Sequence, residues 1–272
     1  MAFPSSASNR PADTRRLHGV STDERFAGLT PEALRLLQEA GRHLTSNRIE
    51  EAERALAGVA VFAPEHPEAL RLQAAILHRR GRPHDAIALL RRALAQQPDD
   101  ALVLHHLGAS LMQAGQLAAA IPILSRACEL APELGSAWIN LGTAFDMEGR
   151  FEEAEAAFRR AVECDPKYVP SRIAHGNGLR AIGRVGEAVA EYRHALALNP
   201  ESIGAWAALT DLKTVQFSAE EAASLARLQA NPKLSERDRA IIGFTLGKAL
   251  EDQERYADAL AAFHAANAGW LK

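Results

Sequence analysis

Few residues in this 272-residue chain are arranged for chemistry. His105 and His106 are of the type that binds transition metals. Adjacent residues of a helix point about 100° apart, so the two cannot chelate one ion as an i, i+4 pair can. They read as surface polar residues. Gly176-Asn177-Gly178 has the small residues of a phosphate loop, but it follows no strand and lies inside a helical pattern. Cys128 and Cys164 form neither a disulfide framework nor a zinc spacing, and read as small apolar residues of helices. The pairs Glu152-Glu153 and Glu220-Glu221 fall where helices begin, where negative charge favours the helix dipole. No Ser/His/Asp or Cys/His set has supporting local context. The chain therefore reads as non-catalytic, with no cofactor and no metal.

What must position these residues is a repeat. Pro64, Pro98, Pro132, Pro166 and Pro200 stand 34 residues apart. A ladder of this kind marks a repeated supersecondary unit, each proline ending one helix before the next begins. Hydrophobic residues are 47% of the chain but aromatics only 6%, so Ala and Leu carry the apolar content and closely packed helices are expected. A leader is expected over 1–29, disordered apart from a short helix that Ser21 and Glu24 would cap. Thr30 and Pro31 then read as N-cap and first residue of the first repeat helix. Repeats follow near 33–66, 67–100, 101–134, 135–168 and 169–202, with an irregular stretch over 203–239 and a last unit over 240–272. In the irregular stretch Ser218 with Glu221 predicts a capping box, Asn231-Pro232 a break, and Ser235 with Asp238 a further cap.

The fourth unit carries Trp138, Leu141, Gly142, Phe145, Gly149, Phe151, Ala154, Phe158, Ala161 and Pro166. This pattern, repeated across 33 to about 270, resembles the tetratricopeptide repeat (TPR) family, which implies an all-α, right-handed superhelix of six to seven helix–turn–helix units. Small residues at unit positions 8, 20 and 27 would let helices approach, and large ones at 4, 7, 11 and 24 would fill the space beside them. Gly149→Val and Ala154→Phe are expected to destabilise by steric conflict. In the fifth unit Arg172 and His175 stand where large apolar residues are usual.

The resemblance also implies binding on the face of the first helices. Its candidates are His105, His106, Met112, Ile139, Asn140, Thr143 and Met147, then Ile173, Asn177 and Arg180. This mix suits a protein or peptide segment. Asn140 has His106 and Ala174 at the equivalent neighbouring positions, so the asparagine ladder of the O-linked N-acetylglucosamine transferase repeats is absent. His105, Ala109, Pro170 and Ala174 likewise fail to complete the carboxylate clamp of chaperone-binding repeats. Leu234-Ser-Glu-Arg-Asp-Arg-Ala, Leu246-Gly-Lys-Ala-Leu250, Tyr256-Ala-Asp-Ala and Phe263-His-Ala-Ala-Asn267 look like the last repeat of bacterial TPR–sulfotransferase proteins. That likeness implies, as an alternative, a substrate-recruiting region whose catalytic domain is absent from this chain.

Net charge is −3, which does not suit a general nucleic-acid binder. The N-terminus has no apolar signal region and no run of 18 apolar residues occurs, so no membrane partner and a cytoplasmic location are expected. Trp270 and Leu271 leave apolar groups near the C-terminus, an expected route to self-association.

Overall fold

The computed structural model describes residues 16–17, 20–21 and 25–270. The chain divides into two compact units, 1–148 and 149–272. The first holds a two-residue antiparallel pairing of β1 (Arg16–Leu17) with β2 (Val20–Ser21), then α1 (Pro31–Thr45), α2 (Ile49–Phe62), α3 (Pro67–Arg79), α4 (Pro83–Gln96), α5 (Ala101–Gln113), α6 (Leu117–Leu130) and α7 (Gly135–Met147). The second holds α8 (Phe151–Cys164), α9 (Val169–Ala181), α10 (Val185–Leu198), α11 (Ile203–Asp211), α12 (Ala219–Gln229), α13 (Glu236–Asp252) and α14 (Tyr256–Trp270). Inside each unit consecutive helices pack as antiparallel pairs in the TPR manner. Thr30 caps α1, its Oγ1 accepting from Ala33 N at 3.2 Å, with Pro31 as first helical residue. Glu24, the expected partner of Ser21, lies outside the described residues.

Two turn types recur, each set by one residue. The turn inside a repeat needs a left-handed residue, supplied by Gly81, Gly115, Gly149 and Gly183 at φ +69 to +79°. Asn47 and Glu254 hold the same place at φ 56 and 58°. The residue after Gly81, Gly115 and Gly183 closes the helix end with a bond five residues back: Arg82 N to Leu77 O, Gln116 N to Leu111 O and Arg184 N to Leu179 O. The turn between repeats is set by the proline ladder. The residue before each proline (Ala63, Gln97, Ala131, Asp165, Asn199) is extended, at φ −132 to −150° and ψ 66 to 96°. Pro Cδ forbids the helical region to its predecessor, so the helix stops there.

Packing within a pair follows the small–large rule. A Cβ at Gly108 would lie 2.4 Å from Leu124, one at Gly176 2.4 Å from Tyr192, and one at Gly247 2.4 Å from Phe263. Where position 8 is Ala74, position 24 is again a fully buried leucine, Leu90. Gly149 obeys a different rule from the one expected. A Cβ there meets nothing within 4 Å, so Gly149→Val is opposed by the φ of +76° and not by crowding. Ala154 is fully buried, and the conflict expected of Ala154→Phe fits that burial.

The irregular stretch also has its reasons. α11 stops at Asp211, and the loop after it is pinned to α13: Phe217 N–H donates to Asp252 at 2.9 Å and Gln253 Nε2 donates to Phe217 O at 2.7 Å. Ser218 and Glu221 form the complete capping box of α12, and Ser235 caps α13 by accepting from Asp238 N. α11, α12 and α13 share one apolar cluster around Trp206, Leu209, Phe217, Leu225 and Ile242.

Candidate functional site

The candidates fall in both units, seven in 1–148 and three in 149–272. In the first unit the first helices α3, α5 and α7 lie side by side and are joined by polar rungs. Arg71 Nη1 donates to His106 Nε2 at 3.4 Å, and Asn140 Nδ2 donates to His105 Nδ1 at 3.3 Å. Each rung runs from position 5 of one repeat to position 6 of the next, 35 residues on. His106 Nδ1 donates to Leu102 O at 2.7 Å, which leaves Nε2 as acceptor for Arg71. Burial, then the charges of Arg71 and His105, push the His106 imidazole well below the usual histidine range, so it is neutral.

The two histidines are thus not the surface polar residues expected. Both are half-buried, stack edge to face at 5.1 Å, and tie helices together. Among the described residues no group of three or more His, Cys, Asp or Glu could hold a metal ion. Beside the rungs Ile139, Thr143 and Met112 are half-buried and Met147 is 57% exposed. Thr143 Oγ1 donates back to Ile139 O at 2.8 Å, which leaves its methyl to the surface mix.

In the second unit Ile173 packs against the apolar cluster and Arg180 is exposed. Asn177, expected to meet a partner's backbone, is engaged within the repeat. Its Oδ1 accepts from Tyr192 OH at 2.8 Å, and burial raises the Tyr192 pKa. A cavity of about 390 Å³, lined by Ala207, Thr210, Asp211, Ile241, Phe244, Thr245 and Asn267, opens between α11, α13 and α14. Thr210 Oγ1 donates to Thr245 Oγ1 at 2.8 Å, a cross-helix bond that joins position 8 of one unit to position 6 of the next. These residues are absent from the candidates because the repeat looked irregular. Counted from Ile203 and Ala240, however, Ala207, Asp211, Phe244 and Thr245 occupy the same unit positions as the candidates elsewhere.

Arg172 and His175 also find their explanation. Trp138 Nε1 donates to Pro132 O at 2.9 Å and Trp206 Nε1 to Pro200 O at 2.9 Å. Arg172, at the equivalent position, donates from Nε to Pro166 O at 2.7 Å. It does a tryptophan's work with a charge attached, and that charge is met by Glu191 at 2.8 Å. His175 stands between Glu155 at 3.1 Å and Glu191 at 3.6 Å. Apolar packing at two positions is replaced by a buried ionic cluster.

A tetratricopeptide-repeat family model matches residues 37–101 and 105–169. No curated protein matches the chain. Among solved structures, residues 41 to the end of MamA from Desulfovibrio magneticus RS-1 are 23% identical with a TM-score of 0.52, over 64% of this chain and 99% of that one. The ArsTM double mutant of MamA RS-1 gives 23% identity and a TM-score of 0.52, over 64% and 97%. YrrB, a TPR protein with an unusual peptide-binding site, gives 20% and 0.49, over 67% and 92%. The family match shows the repeats and the MamA likeness shows the fold. Neither lends support to an association with sulfotransferases.

Proposed function

We propose that this chain of tetratricopeptide repeats is a non-catalytic scaffold that binds a protein or peptide segment on the faces of its first helices. The observation that carries the reading is the cavity of about 390 Å³ in the second unit. It offers an aromatic wall at Phe244, an aliphatic one at Ile241 and a carboxylate at Asp211, an arrangement that suits an apolar side chain next to a basic one. The face of the first unit, with Ile139, Met112 and Met147 beside an imidazole and an amide, has the same character. Met adapts its shape to a partner and the amide can pair with a backbone. The cytoplasm is the proposed place of action, on sequence grounds. Of the two residues expected to drive self-association, Trp270 and Leu271, Leu271 lies outside the described residues. Tyr256 and Leu260 on α14 are 65% and 58% exposed, and light scattering at rising concentration tests that route.

Selection of a displayed random-peptide library on the full chain tests the groove. The selected peptides should carry an apolar and a basic residue close together. Phe244→Lys and Asp211→Lys should each weaken them by about ten-fold or more, the loss typical of one anchoring contact. Peptides that bind both variants as well as the unaltered chain would place the binding surface elsewhere.

A further inference from the structure

The chain enters its repeats through a short segment held much as a ligand would be. Arg25 is 5% exposed. Its Nη1 donates to Glu68 Oε2 and its Nη2 to Asp100 Oδ1, both at 3.2 Å. Those acceptors lie 43 and 75 residues on, in the first turn of α3 and at the N-cap of α5. Arg71 holds Glu68 from the other side with two bonds of 2.7 and 2.5 Å. Two guanidiniums and two carboxylates therefore close a buried quartet with no net charge.

The residues after Arg25 are bound as specifically. Phe26 and Leu29 pack on the apolar cluster of α1 to α3 that contains Leu37, Leu72 and Ile76. Ala27 O accepts from His66 Nε2 at 3.3 Å, while His66 Nδ1 accepts from Glu68 N at 3.3 Å. Gly28, at φ +83°, turns the chain between the two apolar anchors. None of these contacts is needed to start α1, which has its own cap in Thr30.

We propose that the Glu68–Asp100 carboxylate pair, with the apolar ledge beside it, is a docking site for a short turn-forming segment of arginine followed by an aromatic residue, and that Arg25–Leu29 occupies it in cis. The chemistry selects arginine. A planar guanidinium spans two carboxylates, whereas an ammonium is a point charge that satisfies one. A tethered occupant acts at a local concentration on the order of millimolar, so an incoming segment must displace it. The site meets the His105–Met147 row at Arg71, which holds Glu68 and also donates to His106, and it belongs to the first unit whereas the cavity belongs to the second; it stands whether or not they bind a partner.

The probe is a fluorescein-labelled peptide of residues 22–30, titrated against the full chain and followed by anisotropy. The Arg25→Ala chain should bind it about ten-fold more tightly than the unaltered chain, because its own segment has lost the charged anchor. Adding Asp100→Asn, which keeps an N-cap on α5, should cancel the gain. The same peptide with alanine in place of its arginine should show no preference between the chains. Equal affinity for the unaltered and Arg25→Ala chains, or equal binding of both peptides, would overturn the proposal. If circular dichroism shows that Arg25→Ala does not fold, Arg25→Lys takes its place, with a smaller gain of the same sign expected and no gain overturning the idea.

Discussion

Arg172 shows how one residue can change the chemistry of a position while keeping its geometry. At the equivalent position two repeats use an indole N–H to reach a proline carbonyl, and Arg172 reaches the same acceptor with its guanidinium. The remaining charge has to be neutralised between the packed helices, which is why Glu191 stands opposite it. Removing one partner of a buried pair leaves the other uncompensated. Arg172→Met is therefore expected to destabilise the second unit by about 3 kcal/mol. The double variant Arg172→Trp with Glu191→Gln restores the carbonyl donor and removes the orphaned charge. It should recover more than half of that loss in urea unfolding followed by circular dichroism. If the double variant is as unstable as Arg172→Met, the carbonyl contact is not what the position provides.

The elements were legible because their ends are written in residue types that leave few choices. Proline forces its predecessor out of the helix, and glycine admits the left-handed turn, so both kinds of boundary could be read directly. Asn47 and Glu254 escaped notice because neither is a glycine, although each lies in the same left-handed turn. Glu254 carries the larger strain, because Asn tolerates this region better than Glu. Glu254→Gly should raise stability by about 1 kcal/mol, and Gly183→Val should lower it by at least as much, as thermal unfolding would show. Equal melting temperatures for both variants and the unaltered chain would mean that the turn is not under conformational strain. The rungs were harder to see. His105, His106 and Asn140 stand out in the sequence as a surface, but a surface and a rung use the same residue types. What separates them is the residue one repeat and one step away: Arg71 for His106, and His105 for Asn140. Pairing position 5 with the next position 6 would have found them. The cavity was hidden for a different reason. The break in register after Asp211 depends on tertiary pinning of the Phe217 loop, which no local pattern announces.

At the scale of the whole molecule, acid is the condition to which the fold is most exposed. Burial holds the imidazoles of His66, His78 and His106 below the ordinary histidine range. Arg79 adds to this at His78, and Arg71 and His105 at His106. Such groups take up protons more readily unfolded than folded. Their contribution is complete above the unfolded value of about 6.5 and is lost as pH falls below it toward the lower folded values. Burial would raise the Glu68 carboxyl, but Arg71 and Arg25 outweigh it and hold the group low, adding a further loss below about pH 4.3. The urea midpoint should therefore fall between pH 7.5 and pH 5.5, and His106→Gln should narrow the gap. An unchanged midpoint would mean that these histidines are as easily protonated in the fold as out of it. The rungs carry one more implication, for how such a chain can change length. Excising residues 101–134 would bring Asn140 opposite Arg71 and leave Asp100 directly ahead of Gly135, so the shortened protein would still find a polar partner at each step. Deleting a single residue between the two members of a pair would put that pair out of register. The molecule is edited in whole modules, and the arithmetic of thirty-five enforces that unit of change.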